Sequence, residues 1–313
     1  MYRALINKDG MRNIDSIIQG IKRRHYRHDF DRHCCAVLNT PPVDLNGSSQ
    51  LVVLSQSYHK DLLMYLVAAK SFAKFIQPAR FVIVDDGFTP EDQALIRHHL
   101  RHVDFIDRQS VSSKFCPTGG CWERLLSIAD ICEHNYVVQL DSDTVTINDP
   151  IEVREFINQQ ASFTLSTKDG RDFISVESAA SAMASNPGQH IQILAEKALG
   201  EIPEIAGHSY IRGCAGFAGF AKKSISRQSV ETISGLMSEA LGSHVWTRWG
   251  SEQFASNYLI ANSSTKGVLP FEKYPYWKLG ERHPDARLIH FIGDDRFTSP
   301  AYRTHAMKAI ERL

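Results

Sequence analysis

No stretch of this 313-residue chain approaches the roughly 18–20 consecutive apolar residues that cross a bilayer. Its opening residues, MYRALINKDGMRNIDSIIQG, hold no apolar core of the kind a secretory signal carries. A cytoplasmic location is the expectation. An excess of charge is lacking too: 35 Lys and Arg face 35 Asp and Glu. Broad nucleic-acid binding needs a concentrated basic surface, so no nucleic-acid partner is expected. Cysteine is sparse, with six at positions 34, 35, 116, 121, 132 and 214 and no disulfide-framework rhythm. Cys116 and Cys121 bracket Pro-Thr-Gly-Gly, but the second close-spaced ligand pair of a zinc knuckle is missing. Reduced thiols are expected. Neither internal repeats nor low-complexity segments occur.

What is present is enough apolar material, 43% of residues, for one large α/β domain with an elaborated second half. Residues 1–48 read as an N-terminal extension. They contain the basic run Lys22-Arg23-Arg24-His25-Tyr26-Arg27-His28 and end in a linker, Thr40-Pro41-Pro42 with Asn46-Gly47-Ser48-Ser49. The run is compatible with contact to an anionic membrane or a phosphorylated acceptor; a solvated surface helix is its expected form. Residues 49–299 are expected as the main domain, in two halves near 49–150 and 151–299. Residues 300–313 are expected as a C-terminal helix.

From residue 51 strands and helices alternate. Strands are expected at Leu51–Leu54, Phe81–Val84, Val103–Ile106 and Tyr136–Leu140, and helices at Asp61–Ile76, Thr89–Leu100 and Trp122–Cys132. Thr89-Pro90-Glu91-Asp92 combines an N-cap, a first-turn proline and early acids. Such alternation implies a mostly parallel central sheet with helices on both faces, which binds ligands outside its carboxyl ends. The second half is less regular. Strands are expected at Ser162–Thr167, Phe217–Ala221 and Arg287–Ile292, helices at Asn186–Leu199 and Ser224–Leu241, and a last helix capped by Ser299 with Pro300 first. His98, His99 and His102 near one helix end are expected as exposed cationic side chains rather than metal ligands.

The strongest chemical signal is Tyr136-Val137-Val138-Gln139-Leu140-Asp141-Ser142-Asp143, an apolar strand delivering two carboxylates at its carboxyl end. Strand alternation would place Asp141 and Asp143 on one side. Carboxylates this close repel unless a cation lies between them, and Mg²⁺ or Mn²⁺ prefers such oxygen ligands and bridges diphosphates. A polar turn after a strand is the plainer reading.

This arrangement resembles the GT-A glycosyltransferase fold and, within it, glycosyltransferase family 8, the retaining glycogenin and lipopolysaccharide-galactosyltransferase type. The resemblance covers roughly residues 51–297 by scattered motifs. It implies a metal pair of Asp141 and Asp143, with Ser142 between them in the donor site. Trp122-Glu123-Arg124-Leu125 resembles the family's aromatic-x-Arg-Leu helix start, and Arg124 lies 17 positions before Asp141; the resemblance makes it a donor-binding group. Leu288-Ile289-His290-Phe291-Ile292-Gly293 resembles the His-x-x-Gly segment, which makes His290 the third metal ligand. Arg296 stands where the family has a lysine on the diphosphate, although the Pro-Trp that follows there is Phe297-Thr298 here. Trp249-Gly250-Ser251-Glu252-Gln253-Phe254 resembles the acidic-Gln motif, implying that Glu252 holds a sugar hydroxyl and Gln253 lies beside the anomeric carbon. Gly213-Cys214-Ala215-Gly216-Phe217 resembles the strand lining the donor, with Gly216 at the ligand and Cys214 replacing the usual asparagine.

Ser55, Gln56 and Tyr58 at the end of the first strand occupy the place where the fold contacts the nucleoside. Asp85 is a candidate nucleobase contact. The implied function is transfer of a sugar from a nucleotide diphosphate, a UDP-sugar, to a glycan, lipid or protein acceptor, with retention and with Mn²⁺ or Mg²⁺ as cofactor. Three alternatives remain open. Val84-Asp85-Asp86-Gly87 also resembles family 2 inverting transferases, in which Glu252 would act as general base. A nucleotidyltransferase would need a Gly-rich basic phosphate loop, which Leu54-Ser55-Gln56-Ser57-Tyr58-His59 lacks. A degenerate protein would bind sugar nucleotide without catalysis.

Overall fold

The computed structural model of the chain describes residues 8–45 and 50–313. The Asn46-Gly47-Ser48-Ser49 part of the expected linker lies outside them. In chain order the elements are α1 (Lys8–Cys34), β1 (Leu51–Ser57), α2 (Leu62–Ala73), β2 (Arg80–Asp85), α3 (Pro90–His99), β3 (Val103–Asp107), α4 (Trp122–Cys132), β4 (Tyr136–Leu140), β5 (Thr144–Thr146), α5 (Ile151–Asn158) and β6 (Ser162–Leu165). There follow β7 (Ile174–Ser175), α6 (Val176–Met183), α7 (Ile191–Ala198), β8 (Ser209–Tyr210), β9 (Cys214–Phe220), α8 (Arg227–Leu241), α9 (Ser243–Trp246), α10 (Ser251–Ala261), β10 (Lys266–Leu269), β11 (Leu288–His290) and α11 (Ala301–Ile310).

Seven strands form the central sheet in the order β10-β6-β9-β4-β1-β2-β3. All neighbours run parallel except around β9, which is antiparallel to both β4 and β6. The strands are apolar on both sides because both faces are covered. Val53, Phe81, Ile83, Val138 and Leu140 enter one buried cluster with α2 and α11. Val52, Leu54, Val82, Val84 and Val137 enter the other, with α4, α8 and α10. The expected mixed α/β sheet with helices on both faces is therefore present.

The local signals at α3 operate as read. Thr89 Oγ1 accepts from Asp92 N at 3.2 Å, and the Asp92 carboxylate accepts from Thr89 N at 2.8 Å. Elsewhere the boundaries move. The helix expected from Asn186 begins only after His190, whose ring accepts from Gln192 N. The strand expected from Phe217 already starts at Cys214. In α11 Pro300 itself is the N-cap residue, with Ser299 Oγ accepting from Ala301 N. Of the histidines near the end of α3, His98 and His102 are exposed, but His99 is buried beside Lys70 Nζ at 3.3 Å. Burial and the lysine push its pKa down to about 4, so it is a neutral core residue. All six cysteines are free thiols.

The N-terminal helix packs on the α2–α11 side rather than standing alone. Phe30, Cys34 and Val37 join the core cluster. The Phe30 ring lies 4.4 Å from Tyr302 and 6.0 Å from Phe297, centre to centre. Asp29 accepts from Arg303 at 2.8 Å. Phe30→Ala should cost about 3–5 kcal/mol in urea unfolding, the usual loss for a fully buried phenylalanine. A loss below about 1 kcal/mol would mean that α1 does not belong to the cooperative unit.

Candidate active site

The chemistry-bearing residues gather at the carboxyl end of β4, where β9 begins. Asp141 follows β4 directly, and its N–H donates to Gly216 O on β9 at 2.9 Å. The chain then turns: Thr144 N and Oγ1 both donate to Asp141 O, at 3.2 and 2.8 Å. The two carboxylates thus converge through a turn between β4 and β5, and not by alternation along one strand as the sequence suggested. β5 pairs antiparallel with β11, opposing Thr144 to His290, and Phe291 N donates to Asp143 O at 2.8 Å. This short ribbon carries His290 across a separation of almost 150 positions to the Asp-x-Asp turn.

His290 Nε2 lies 3.1 Å from Asp143 Oδ1, and Arg296 Nη2 donates to Asp143 Oδ2 at 2.5 Å. Arg296 is steadied by a second bond, from Nε to Phe291 O at 3.1 Å. Arg124 on α4 donates to Asp141 through one terminal nitrogen and to Glu252 Oε2 through the other, at 3.1 Å. The carboxylates that the sequence suggested as unpaired each have a cationic partner. Gln253, next on α10, is held at both ends: Oε1 accepts from Ala215 N at 3.3 Å and Nε2 donates to Gln192 Oε1 at 3.2 Å.

Burial and charge compete at every member of the group. Burial works against the charge of Asp143, but His290 and Arg296 outweigh it and hold its pKa at about 2. At Asp141 burial prevails and raises the pKa against the pull of Arg124, with Asp143's charge adding to the rise. Glu252 is pushed up to about 7, by burial first and by Asp141's charge, while Arg124 opposes the shift. His290 loses to burial but gains more from Asp143, so its pKa rises.

Oxygen or nitrogen atoms of Asp141, Asp143 and His290 all lie within 4.8 Å of one another, which suits a divalent cation. Two carboxylates and one imidazole are the hard and borderline donors that Mg²⁺ and Mn²⁺ accept. Two buried polar atoms nearby, Arg124 Nε and Glu252 Oε1, have no hydrogen-bond partner. Such orphans mark places where a bound group is expected to complete the set. The donor set therefore fits a metal with a polar ligand beside it.

A close backbone approach makes this geometry possible. A Cβ added at Gly216 would lie 2.0 Å from His290 Cε1 and 2.3 Å from Nδ1. Only glycine leaves room for the imidazole over β9. Cys214 Sγ lies 3.4 Å from His290 Nδ1 on the ring's far side.

These residues line a cavity of about 340 Å³ with Arg124, Asp141, Asp143, Gly216, Glu252, Gln253, His290 and Arg296 on its walls. A larger cleft of about 740 Å³ lies beside α11, but among the described residues its Glu281, His283 and His305 do not form such a metal-ligand group. Chemistry, not volume, selects the smaller one. Not every expected residue reaches it. Ser55 is buried and donates to Leu140 O at 2.6 Å, Gln56 Nε2 donates to Asp86 at 3.2 Å, and Tyr58 is exposed. Asp85 closes its own loop, accepting from Gly87 N, Phe88 N and Gln93 Nε2 at 2.7–2.9 Å. Ser142 gives only its carbonyl, to the Tyr302 hydroxyl at 3.2 Å. Conversely, Cys121, His190 and Trp249 line the cavity without having been singled out for it. Trp249, 74% exposed beside the acidic-Gln motif, could have been suspected from its place in the motif; His190 carried no signal.

No family model matches the chain, and no curated protein matches its sequence. Among solved structures, the apo form of the WbbM bifunctional glycosyltransferase matches with a TM-score of 0.53 at 13% identity, over 86% of this chain and 51% of that one. The chain thus spans about half the length of WbbM. An active-site mutant of LgtC matches at a TM-score of 0.46 and 11% identity, over 80% of this chain and 95% of that one. Mouse xyloside xylosyltransferase 1, in its apo form, follows at 0.45 and 13%, over 78% and 98%. The likeness to WbbM is one of fold, and it agrees with the GT-A architecture expected from the motifs.

Two outcomes test this geometry. Gly216→Ala should displace the His290 ring and weaken divalent-cation binding on the order of 10–100-fold, read by calorimetry with Mn²⁺, while the fold persists. Unchanged binding would show that the ring has room to shift. The second concerns Glu252, whose folded pKa of about 7 lies above the unfolded value. The folded state holds this proton more tightly, so the carboxyl's contribution is present at low pH and lost as pH rises through about 7. In chelator, wild type should lose stability relative to Glu252→Gln between about pH 5 and about pH 8. Parallel pH profiles would place the proton elsewhere.

Proposed function

We propose that this protein is a metal-dependent glycosyltransferase that moves a sugar from a UDP-sugar to a glycan, lipid or protein acceptor with retention of configuration. The observation that carries the reading is the convergence of Asp141, Asp143 and His290 with Arg124 and Arg296 on one cavity at the carboxyl ends of the sheet. Asp141, Asp143 and His290 would hold the cation, Mn²⁺ or Mg²⁺. When bound, the cation supplies positive charge to a diphosphate.

The chain's own residues account for the rest. Arg296, held by Phe291 O, adds fixed positive charge where a leaving diphosphate would gather negative charge. Arg124 orients Asp141 and Glu252, and its free Nε remains available to the donor. Glu252 Oε1 is positioned to accept from a sugar hydroxyl. Gln253 is pinned by Ala215 and Gln192 and has no acidic proton to exchange. A neutral amide at the reacting carbon suits retention without a strong protein nucleophile.

A second reading has one observation in its favour. A Glu252 pKa near 7 is that of a group able to take a proton at neutral pH, as an inverting transferase requires. Its engagement by Arg124 and its burial favour the holding role instead.

Calorimetric titration with UDP, with and without Mn²⁺, should show binding that depends on the metal. Asp143→Ala should remove that dependence and reduce nucleotide-sugar hydrolysis by at least about 100-fold, with unfolding still cooperative. UDP binding indifferent to metal would defeat the assignment. Binding without hydrolysis of any nucleotide sugar would leave a non-catalytic protein. Once a product is in hand, its anomeric configuration separates retention from inversion.

A further inference from the structure

We propose that the exposed face of α1 docks on the surface of an anionic lipid bilayer. Ile17, Ile18 and Ile21 are 59, 42 and 62% exposed. Spaced one and four residues apart, they form one patch on the helix surface. A solvated surface helix accounts for the basic run that follows but not for three adjacent exposed aliphatic side chains. At about 100° per residue, Arg24 and Arg32 fall on the same half of the helix as the isoleucines with Lys22 at its edge, and all three are exposed; Asp29 and Asp31 share that half, but Arg303 holds the first and Arg27 the second. The opposite half carries Phe30 and Cys34, both fully buried.

The anchoring fixes which side faces outward. Phe30 packs against Tyr302 with its ring tilted, and Asp29 is tied to Arg303, so the helix cannot roll to hide its isoleucines. The outward half therefore combines an apolar end with a cationic band. Isoleucines at that end would enter the acyl boundary while the lysine and arginines meet lipid phosphates. The whole chain has no net charge, so the positive band is a local feature and not a general excess. A second copy of this chain would present the same positive band and repel. An anionic surface is the complementary partner.

Docking does not depend on the proposed sugar transfer, and the test separates the two. The full chain is sedimented with vesicles of phosphatidylcholine alone and of phosphatidylcholine mixed with phosphatidylglycerol. Binding is expected only to the mixed vesicles and should fall as salt is raised. Lys22→Gln with Arg24→Gln should weaken it roughly 25-fold, about fivefold for each cation removed. Ile17→Asn with Ile18→Asn and Ile21→Asn should weaken it at least about tenfold. Far-UV circular dichroism and UDP binding should be unchanged in both, since neither touches the cavity. Equal binding to neutral vesicles, or none to either, would overturn the proposal. So would a concentration-dependent dimer that the isoleucine variant abolishes, because the patch would then mate with a second copy.

Discussion

Asp141 and Asp143 can share a buried turn only because cationic side chains from three separate parts of the chain reach them. Arg124 comes from α4, His290 from β11, and Arg296 from the helical turn after it. Without those partners, two carboxylates in a low-dielectric pocket would raise each other's pKa and take up protons. With them, Asp143 stays ionised to about pH 2. Most other features of the site follow from the need to bring those cations in.

The β5–β11 ribbon is the device that does so for two of the three. Its register opposes Thr144 to His290, and Phe291 N closes on Asp143 O. Arg296 is then delivered five residues further on and fastened to Phe291 O. The reversed strand β9 supplies the floor. Its Gly216 lets the imidazole lie against the backbone, and Gly216 O receives the Asp141 N–H. α10 completes the wall by turning Glu252 to Arg124 and Gln253 to β9. A mostly parallel sheet with one reversed strand thus becomes a place where opposite charges are held close but not exhausted. Arg124 Nε and Glu252 Oε1 still lack partners.

The N-terminal helix belongs to the same economy of contacts. Phe30 packs against Phe297 and Tyr302, one of which closes the segment that carries Arg296. The helix that shows isoleucines and cations to the outside is therefore built onto the wall behind the cavity. Among the described residues no helix is long and apolar enough to cross a membrane, so any membrane contact by α1 is one of surface.

Local order alone makes the first half legible. Apolar runs of four or five residues and the capping signals at Thr89 mark strands and helices before any tertiary contact exists. The Asp-x-Asp pair at a strand end and the Arg124 spacing are likewise linear signals, and so is the resemblance that picked out His290. Sequence could not decide how these side chains meet. The setting of the Asp141–Asp143 turn against Gly216 and Phe291 and the burial of His99 beside Lys70 both depend on neighbours far away in the chain. Asp85 differs in that its partners, Gly87, Phe88 and Gln93, all lie within eight positions of it. Periodicity reports which face of an element is apolar. Pairing of charges, and the glycine gap that admits one imidazole, exist only after the sheet has closed.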